Sequence, residues 1–204
     1  MKKVTLISML VITSFTTIFA QESYKETFDS NSLEWTEAPK KFAGPSAIID
    51  EGVMKLQLSG GLLTSSLQFI ETHCYAPIDV QKPFTIKTNV NIKTIPADGA
   101  VGLIFNYKDD GNFYMFKISM FGLAFCRYEN NVLVGSITRP MSWGTFKDIQ
   151  QEWELISDNQ TLRLNINEEP MLKVKYMPLQ YSGVGFYATG KGQSLSIDDI
   201  EFIQ

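Results

Sequence analysis

The sequence offers few residues that could act as catalysts. It contains one histidine, His73, and two cysteines, Cys74 and Cys126. His73 and Cys74 are a base and a nucleophile side by side, but neighbouring residues on a strand point to opposite faces and cannot touch. Because the chain has no second imidazole, carboxylates are the remaining groups for acid–base chemistry. The same small number of cysteines and histidines argues against a zinc site.

Paired carboxylates with one residue between them share a face of a strand, as glycoside hydrolysis needs. Glu152 and Glu154 have this spacing, and so do Asp199 and Glu201 on the last apolar run. Polar residues at every second position are also typical of a strand face exposed to water. We therefore interpret Glu152 and Glu154 as a solvated face and predict no catalytic residue.

The composition is that of a folded protein without a nucleic-acid partner. Of the 204 residues, 44% are hydrophobic and 20% charged, and 18 Lys and Arg stand against 22 Asp and Glu. A net charge of -4 leaves no basic excess to neutralise phosphates. Aromatic residues make up 12% of the chain, enough for a large core and for a binding platform.

The first twenty residues have the pattern of a secretory signal peptide. Lys2 and Lys3 precede an apolar, hydroxyl-rich run over residues 4–19, and Ala20 provides a small residue at the cleavage position. We predict cleavage after Ala20, export to the periplasm or the cell exterior, and no membrane span afterwards. Residues 21–204 are then expected to form a single domain.

The elements that must position these side chains are strands. Residues 84–93 alternate strictly, with Phe84, Ile86, Val90 and Ile92 on one face. Turn residues such as those at 109–112 separate thirteen or fourteen such runs, and short turns join antiparallel neighbours. So many strands need two packed sheets, so the predicted fold is an all-β, two-sheet antiparallel β-sandwich of the jelly-roll type. Residues 138–149 lack clean alternation and are predicted to be a long connection.

Four segments in order resemble the concanavalin A-like lectin/glucanase superfamily. They are ETFDSNSLEWTEA, AVGLIFNYKDDGNFYMFKI, QEWELISDNQTLRLNINEEPMLKV and GVGFYATGKGQSLSIDDIEFIQ. The resemblance covers nearly all of residues 24–204. Within this superfamily, which includes lectins, carbohydrate-binding modules, laminin G-like adhesion modules and glycoside hydrolases, the chain looks nearest to small exported bacterial domains. Those are called family 16 glycoside hydrolase-like or 3-keto-disaccharide hydrolase.

The resemblance implies a jelly roll but does not choose among these functions. Family 16 hydrolases carry an E-x-D-x-E pattern, whereas Trp153 stands here between Glu152 and Glu154. Related modules often hold a structural calcium near the last strand, for which Asp199 is the candidate ligand, helped by carbonyls and Glu26 or Asp29. The alternative interpretation is that Asp199 caps a neighbouring turn.

The two cysteines leave two interpretations open. An even count in an exported chain permits a Cys74–Cys126 disulfide. Two small buried thiols fit the sequence equally well, because free cysteine is commonly buried.

Sugar sites combine an aromatic platform with amide, carboxylate or guanidinium groups. Asn106 alternates out of Phe105 and Tyr107, and an irregular connection is where binding residues such as a tryptophan tend to lie. Tyr75 and Tyr187 are further aromatic candidates. The predicted glycan-binding residues are Asn106, Tyr114, Arg127, Tyr128 and Trp143.

The resulting hypothesis is an exported, non-catalytic, lectin-like domain that binds a glycan or polysaccharide. Two alternatives stay open at this point. One is a glycoside hydrolase-like enzyme with a carboxylate pair, and the other is a surface adhesion or assembly module that binds protein. The oligomeric state is left open.

Overall fold

A computed structural model describes residues 22–38, 44–58, 69–140, 147–175 and 179–204. These residues form fourteen strands, and every pairing between them is antiparallel. None of their segments is a helix long and apolar enough to cross a membrane. The strands are β1 (Ser23–Glu26), β2 (Ser46–Asp50), β3 (Val53–Gln57), β4 (Phe69–Tyr75), β5 (Phe84–Thr94), β6 (Ala100–Asp109), β7 (Asn112–Ser119), β8 (Gly122–Glu129), β9 (Val132–Pro140), β10 (Lys147–Ser157), β11 (Thr161–Ile166), β12 (Glu169–Lys175), β13 (Gly183–Thr189) and β14 (Ser194–Ile203).

The strands form two sheets, which confirms the predicted β-sandwich. One sheet has eight strands in the order β12, β11, β10, β5, β14, β3 and β2, with β1 paired to β14. The other has six, in the order β4, β13, β6, β7, β8 and β9. Their inner faces enclose one core, which holds Trp153 of the larger sheet and Phe105, Phe116 and Phe186 of the smaller one. Alternation along each strand therefore puts the remaining side chains on two outer faces.

Two boundaries differ from the sequence prediction. β9 runs to Pro140 and β10 begins at Lys147, so the predicted connection over residues 138–149 is partly strand. Trp143 lies outside the described residues, as does the predicted signal peptide, and both stay predictions. β9 is a sheet edge, and its side chains are exposed along its whole length.

The two cysteines are free thiols, which corrects the disulfide that the sequence leaves open. Cys74 faces the core from β4. Cys126 pairs with Met115 on the outer side of β8. β13, β6 and β7 lie between these strands, a separation of about 19 Å at ordinary strand spacing. A disulfide needs Cα atoms within about 7 Å, so no bridge can form.

Candidate functional site

The outer face of the six-stranded sheet carries an apolar cluster separate from the core. Ile104, Tyr107 and Met115 are buried there, although no second sheet covers them. The side chains packed against them are partly buried and aromatic, namely Phe113, Tyr128 and Tyr187. An outward apolar cluster with rings at its margin is typical of a binding face rather than a solvated one.

A β-bulge at Asn106 turns Tyr107 onto this face. Asn106 has a φ of 50°, and the pairing of β6 with both β7 and β13 shifts register at this point. The extra residue reverses the alternation, so Tyr107 points outward while Phe105 points into the core. The Asn106 Oδ1 accepts hydrogen bonds from the backbone N–H groups of Gln180 and Tyr181, at 2.7 and 3.0 Å.

Two glycines of β13 let aromatic rings meet across that strand. β4 and β6 flank β13, yet the rings of His73 and Tyr107 stack with centroids 4.0 Å apart. A Cβ on Gly183 would lie 2.3 Å from the Tyr107 carbonyl oxygen, and one on Gly185 would lie 2.3 Å from that of Thr72. The backbone of β13, which has no side chains at these two glycines, therefore forms the floor of the site, that is, the surface beneath the stacked rings. Burial lowers the pKa of His73, which favours its neutral form.

Two carboxyl groups meet at one end of this floor. Glu71 lies on β4 and Asp110 in the turn between β6 and β7, and both side chains line the same cavity. The Tyr107 hydroxyl donates to the Asp110 Oδ1 at 2.5 Å. Burial is the main cause that raises the pKa of Glu71 to about 7, and the neighbouring carboxyl group of Asp110 adds to the effect. Glu71 therefore keeps a proton until near neutral pH.

The carboxyl pair opens into a cavity of about 270 Å³ with aromatic walls. The rings of Phe113 and Tyr128 stack at 4.8 Å with 24° between their planes. Burial raises the pKa of Tyr128 and of Tyr187, so both present neutral hydroxyls. The lining residues are Glu71, Asp110, Phe113, Met115, Tyr128, Asn131 and Tyr187. The cavity can hold a ligand that is apolar on one side and hydrogen-bonding or cationic on the other.

The structure brings together three of the five predicted glycan-binding residues. Asn106, Tyr114 and Tyr128 line a second cleft, of about 260 Å³, on the other side of the Phe113–Tyr128 stack. The Asn106 side chain accepts hydrogen bonds from the backbone there. Tyr114 packs in a T-shaped arrangement with the core ring of Phe105, and their ring centroids are 5.8 Å apart. Tyr128 is the predicted residue that also reaches the carboxyl cavity.

Arg127 lies beside this second cleft and has an acidic partner. It pairs with Tyr114 across β7 and β8, and its Nη2 lies 2.7 Å from the Glu129 Oε1.

Sequence reasoning missed Glu71, Tyr107, Asp110 and Phe113. A signal existed for Tyr107, because an asparagine three residues before an acidic Gly-containing turn can adopt positive φ and form a bulge. No feature of the sequence predicts that Glu71 lies beside Asp110, because β13 lies between β4 and β6 in the sheet.

Asp199 lies on the opposite side of the molecule, with protein partners on both carboxylate oxygens. The Lys25 Nζ lies 2.8 Å from its Oδ2, and the Asn89 Nδ2 donates to its Oδ1 at 3.1 Å. The proposed helper Glu26 accepts from the Phe28 N–H at 3.0 Å. Among the residues that the structure describes, no group of three or more acidic, histidine or cysteine side chains is arranged to hold a metal. Calcium at Asp199 stays an untested prediction.

Solved structures of low sequence identity share this fold. The metal-free carbohydrate recognition domain of Emp46p has a TM-score of 0.60 and 10% identity, over 87% of this chain and 93% of that one. The Bacillus licheniformis β-glucanase has a TM-score of 0.60 and 10% identity, over 88% and 97%. The CBM2 module of the evolved Dit protein of Lactobacillus casei BL23 phage J-1 has a TM-score of 0.56 and 15% identity, over 90% and 96%.

These likenesses establish the fold as the concanavalin A-like jelly roll, as the sequence motifs predicted. No family model and no curated protein matches the sequence. Function therefore has to be argued from the site.

Proposed function

We propose that the protein is an exported, non-catalytic domain that binds a glycan on the outer face of its six-stranded sheet. The observation that carries this proposal is the aromatic cavity beside Glu71 and Asp110. The ring faces of Phe113 and Tyr128 fit the C–H face of a pyranose. The carboxyl groups and the Asn131 amide are placed to bind hydroxyl groups at its edge.

The glycoside hydrolase alternative would have to use the same two carboxyl groups. Retaining glycosidases hold their two carboxyl groups about 5–5.5 Å apart and inverting ones about 6.5–9.5 Å apart, because the sugar or a water lies between them. Glu71 and Asp110 are the two carboxyl groups that line this cavity. Cleavage of a bound glycan by the wild-type protein would therefore favour the hydrolase alternative.

Analogy with the fold neighbours also supports glycan binding. Two of them are described as a carbohydrate recognition domain and as a CBM2 module. Because one fold serves many functions, this support is secondary to the cavity itself.

The test is a glycan array with residues 21–204, followed by titration of any glycan that binds. Tyr128→Ala should weaken binding about 10- to 100-fold, because it removes one ring of the platform. The matched control is Tyr24→Ala, an exposed tyrosine of β1 in the other sheet, which should bind like the wild type. Absence of binding to every glycan, or equal affinity of both variants, would overturn the proposal.

A second candidate function is a surface assembly module that binds protein through β9. This edge strand exposes Val132, Leu133, Val134 and Ile137, and none of the described strands pairs with its outer backbone edge. An edge of this kind can add a strand from another protein. Ile137→Lys should then abolish capture of a partner while leaving glycan binding unchanged.

Export is part of the proposal and rests on the leader-like segment at residues 1–20. Mass determination of the protein recovered from the cell exterior or periplasm should give a chain that begins at Gln21. Recovery of the uncleaved chain from the cytoplasm would contradict it.

A further inference from the structure

Six acidic residues in the described part of the chain have a basic partner, and Glu71 and Asp110 are not among them. The ion pairs of the described residues join Lys or Arg to Asp50, Glu51, Asp79, Glu129, Glu154 or Asp199. In this part of the chain, neither Glu71 nor Asp110 forms an ion pair with a basic side chain. The two carboxyl groups instead face one another inside the cavity.

Two carboxyl groups that line one cavity repel each other when both are ionised, so a proton on one of them is favoured. That proton neutralises one charge of the pair, as a lysine or an arginine does for the acidic residues in ion pairs. The raised pKa of Glu71 agrees with this arrangement, since the second negative charge is disfavoured beside Asp110. A ligand that brings its own positive charge would make the proton unnecessary.

The walls of the cavity suit a cation as well. Phe113, Tyr128 and Tyr187 surround it, and the faces of aromatic rings attract ammonium groups. The neighbouring titratable groups on the same face are neutral, since burial lowers the pKa of His73 on β4 and raises that of Cys126 on β8.

Two further groups on this face complete its charge distribution. The Tyr107 hydroxyl of β6 stays protonated, because burial raises its pKa. Lys117 of β7 lies on the same face as Met115 but forms no ion pair with Glu71 or Asp110. Among the described residues, the carboxyl pair therefore has no basic partner.

We propose that this cavity binds the protonated amino group of an amino sugar, which takes the place of the proton between Glu71 and Asp110. The inference rests on the proposed glycan binding and names its ligand class. On binding, Glu71 releases its proton to solvent and the two carboxylates hold one ammonium ion. The sugar ring packs on an outer ring face of the Phe113–Tyr128 stack, a contact that a lysine side chain would not make.

Calorimetry with two oligosaccharides of equal length tests this proposal. The probes are a glucosamine oligomer with free amines and its fully N-acetylated counterpart. In buffers of different ionisation enthalpy near pH 6, the free-amine oligomer should bind at least about tenfold more tightly and release close to one proton. At about pH 8 the proton release should give way to proton uptake, because Glu71 is already ionised there and the amine, which titrates near neutral pH, must gain a proton to bind.

Glu71→Gln should remove both the preference for the amine and the proton release. Asp110→Asn should do the same, and it changes an exposed turn residue, so its effect does not depend on refolding of the cavity. Glu152→Gln on the other sheet removes the same charge away from the cavity and should behave as the wild type. An equal loss in Glu152→Gln would mean non-specific attraction and would overturn the inference.

The remaining outcomes separate this inference from the proposed function. Equal affinity for both oligomers, lost in Tyr128→Ala, would overturn the amino-sugar assignment and leave glycan binding in place. A lysine peptide that binds with the same proton release, while neither oligomer binds, would overturn both. Proton release that persists in Glu71→Gln would also overturn the assignment of the proton to this pair.

Discussion

The outer faces of the two sheets satisfy their acidic groups in different ways. On the eight-stranded sheet, Glu154 accepts from the Asn165 Nδ2 at 2.6 Å and its Oε1 lies 3.3 Å from the Lys87 Nζ. On the six-stranded sheet, Glu71 has Asp110 as its partner. The charge of Glu154 is already neutralised by its protein partners, whereas the Glu71–Asp110 pair needs a proton or a positively charged ligand.

The same contrast holds for apolar groups. β5 and β10 of the larger sheet present polar residues such as Asn89, Gln150 and Glu152 outward. The smaller sheet buries Ile104 and Met115 on its outer side. A face that stays partly apolar and keeps a proton between carboxyl groups is more costly to leave in water, which supports the proposal that this face binds the ligand.

The largest expected effect comes from filling the bare floor of the smaller sheet. Gly185→Val should destabilise the protein by about 3 kcal/mol, because the new side chain collides with the Thr72 carbonyl and with His73. The matched change on the larger sheet is Lys93→Val on β5, which should stay within about 0.5 kcal/mol of the wild type. Urea unfolding of both variants measures the difference. Similar values for the two would mean that the faces do not differ in packing.

The next effect is a pH dependence that belongs to Glu71. Its pKa is raised to about 7 in the folded protein, from 4.5 in the unfolded chain. Folding therefore favours the protonated form, and its contribution to stability is present below about pH 4.5 and is lost as pH rises through about 7. The loss should be about 2 kcal/mol, less than the full shift implies because water reaches the site.

Urea unfolding at about pH 5 and about pH 8 should show this loss in the wild type and its absence in Glu71→Gln. Glu154→Gln, on the other sheet, should keep the wild-type pH dependence. A Glu71→Gln variant that loses stability with pH as steeply as the wild type would rule out the carboxyl pair as its source.

A smaller effect is expected from the bulge that turns Tyr107 outward. Asn106→Ala should destabilise by about 1–2 kcal/mol, because two backbone N–H groups lose their acceptor. Asn130→Ala is the matched control, since Asn130 also has a φ of 50°. Its loss should be smaller, at about 0.5–1 kcal/mol from the backbone conformation alone. Equal losses in thermal unfolding would show that the side-chain hydrogen bonds contribute nothing.

Asn106 also shows how far the sequence could predict this site. Strict alternation predicts the strands well, and β5 buries Ile86 and Ile92 as expected. The same rule places Asn106 outward and Tyr107 inward, and the bulge reverses the second of these. The alternation of apolar residues cannot reveal the extra residue of a bulge. This bulge is held by a distant part of the chain, because the backbone N–H of Gln180 donates to the Asn106 side chain.

The carboxyl pair could not be predicted for a different reason. Glu71 lies on an edge strand, and Asp110 lies in a hairpin turn that the sequence predicts correctly as a turn. Their meeting depends on the order of strands in the sheet, and alternation patterns do not determine that order. Predicting the elements was thus sufficient for the fold and insufficient for the site.

The smallest effects are expected from a double-mutant cycle on each face. Lys87→Met with Glu154→Gln should give a favourable coupling of about 0.5 kcal/mol that fades in about 1 M salt, because Lys87 is 40% exposed. Glu71→Gln with Asp110→Asn at about pH 8 should give a coupling of the opposite sign, since each change relieves a repulsion. Couplings of the same sign would mean that Glu71 is neutralised by a basic group, and the ligand would then have no charge to replace.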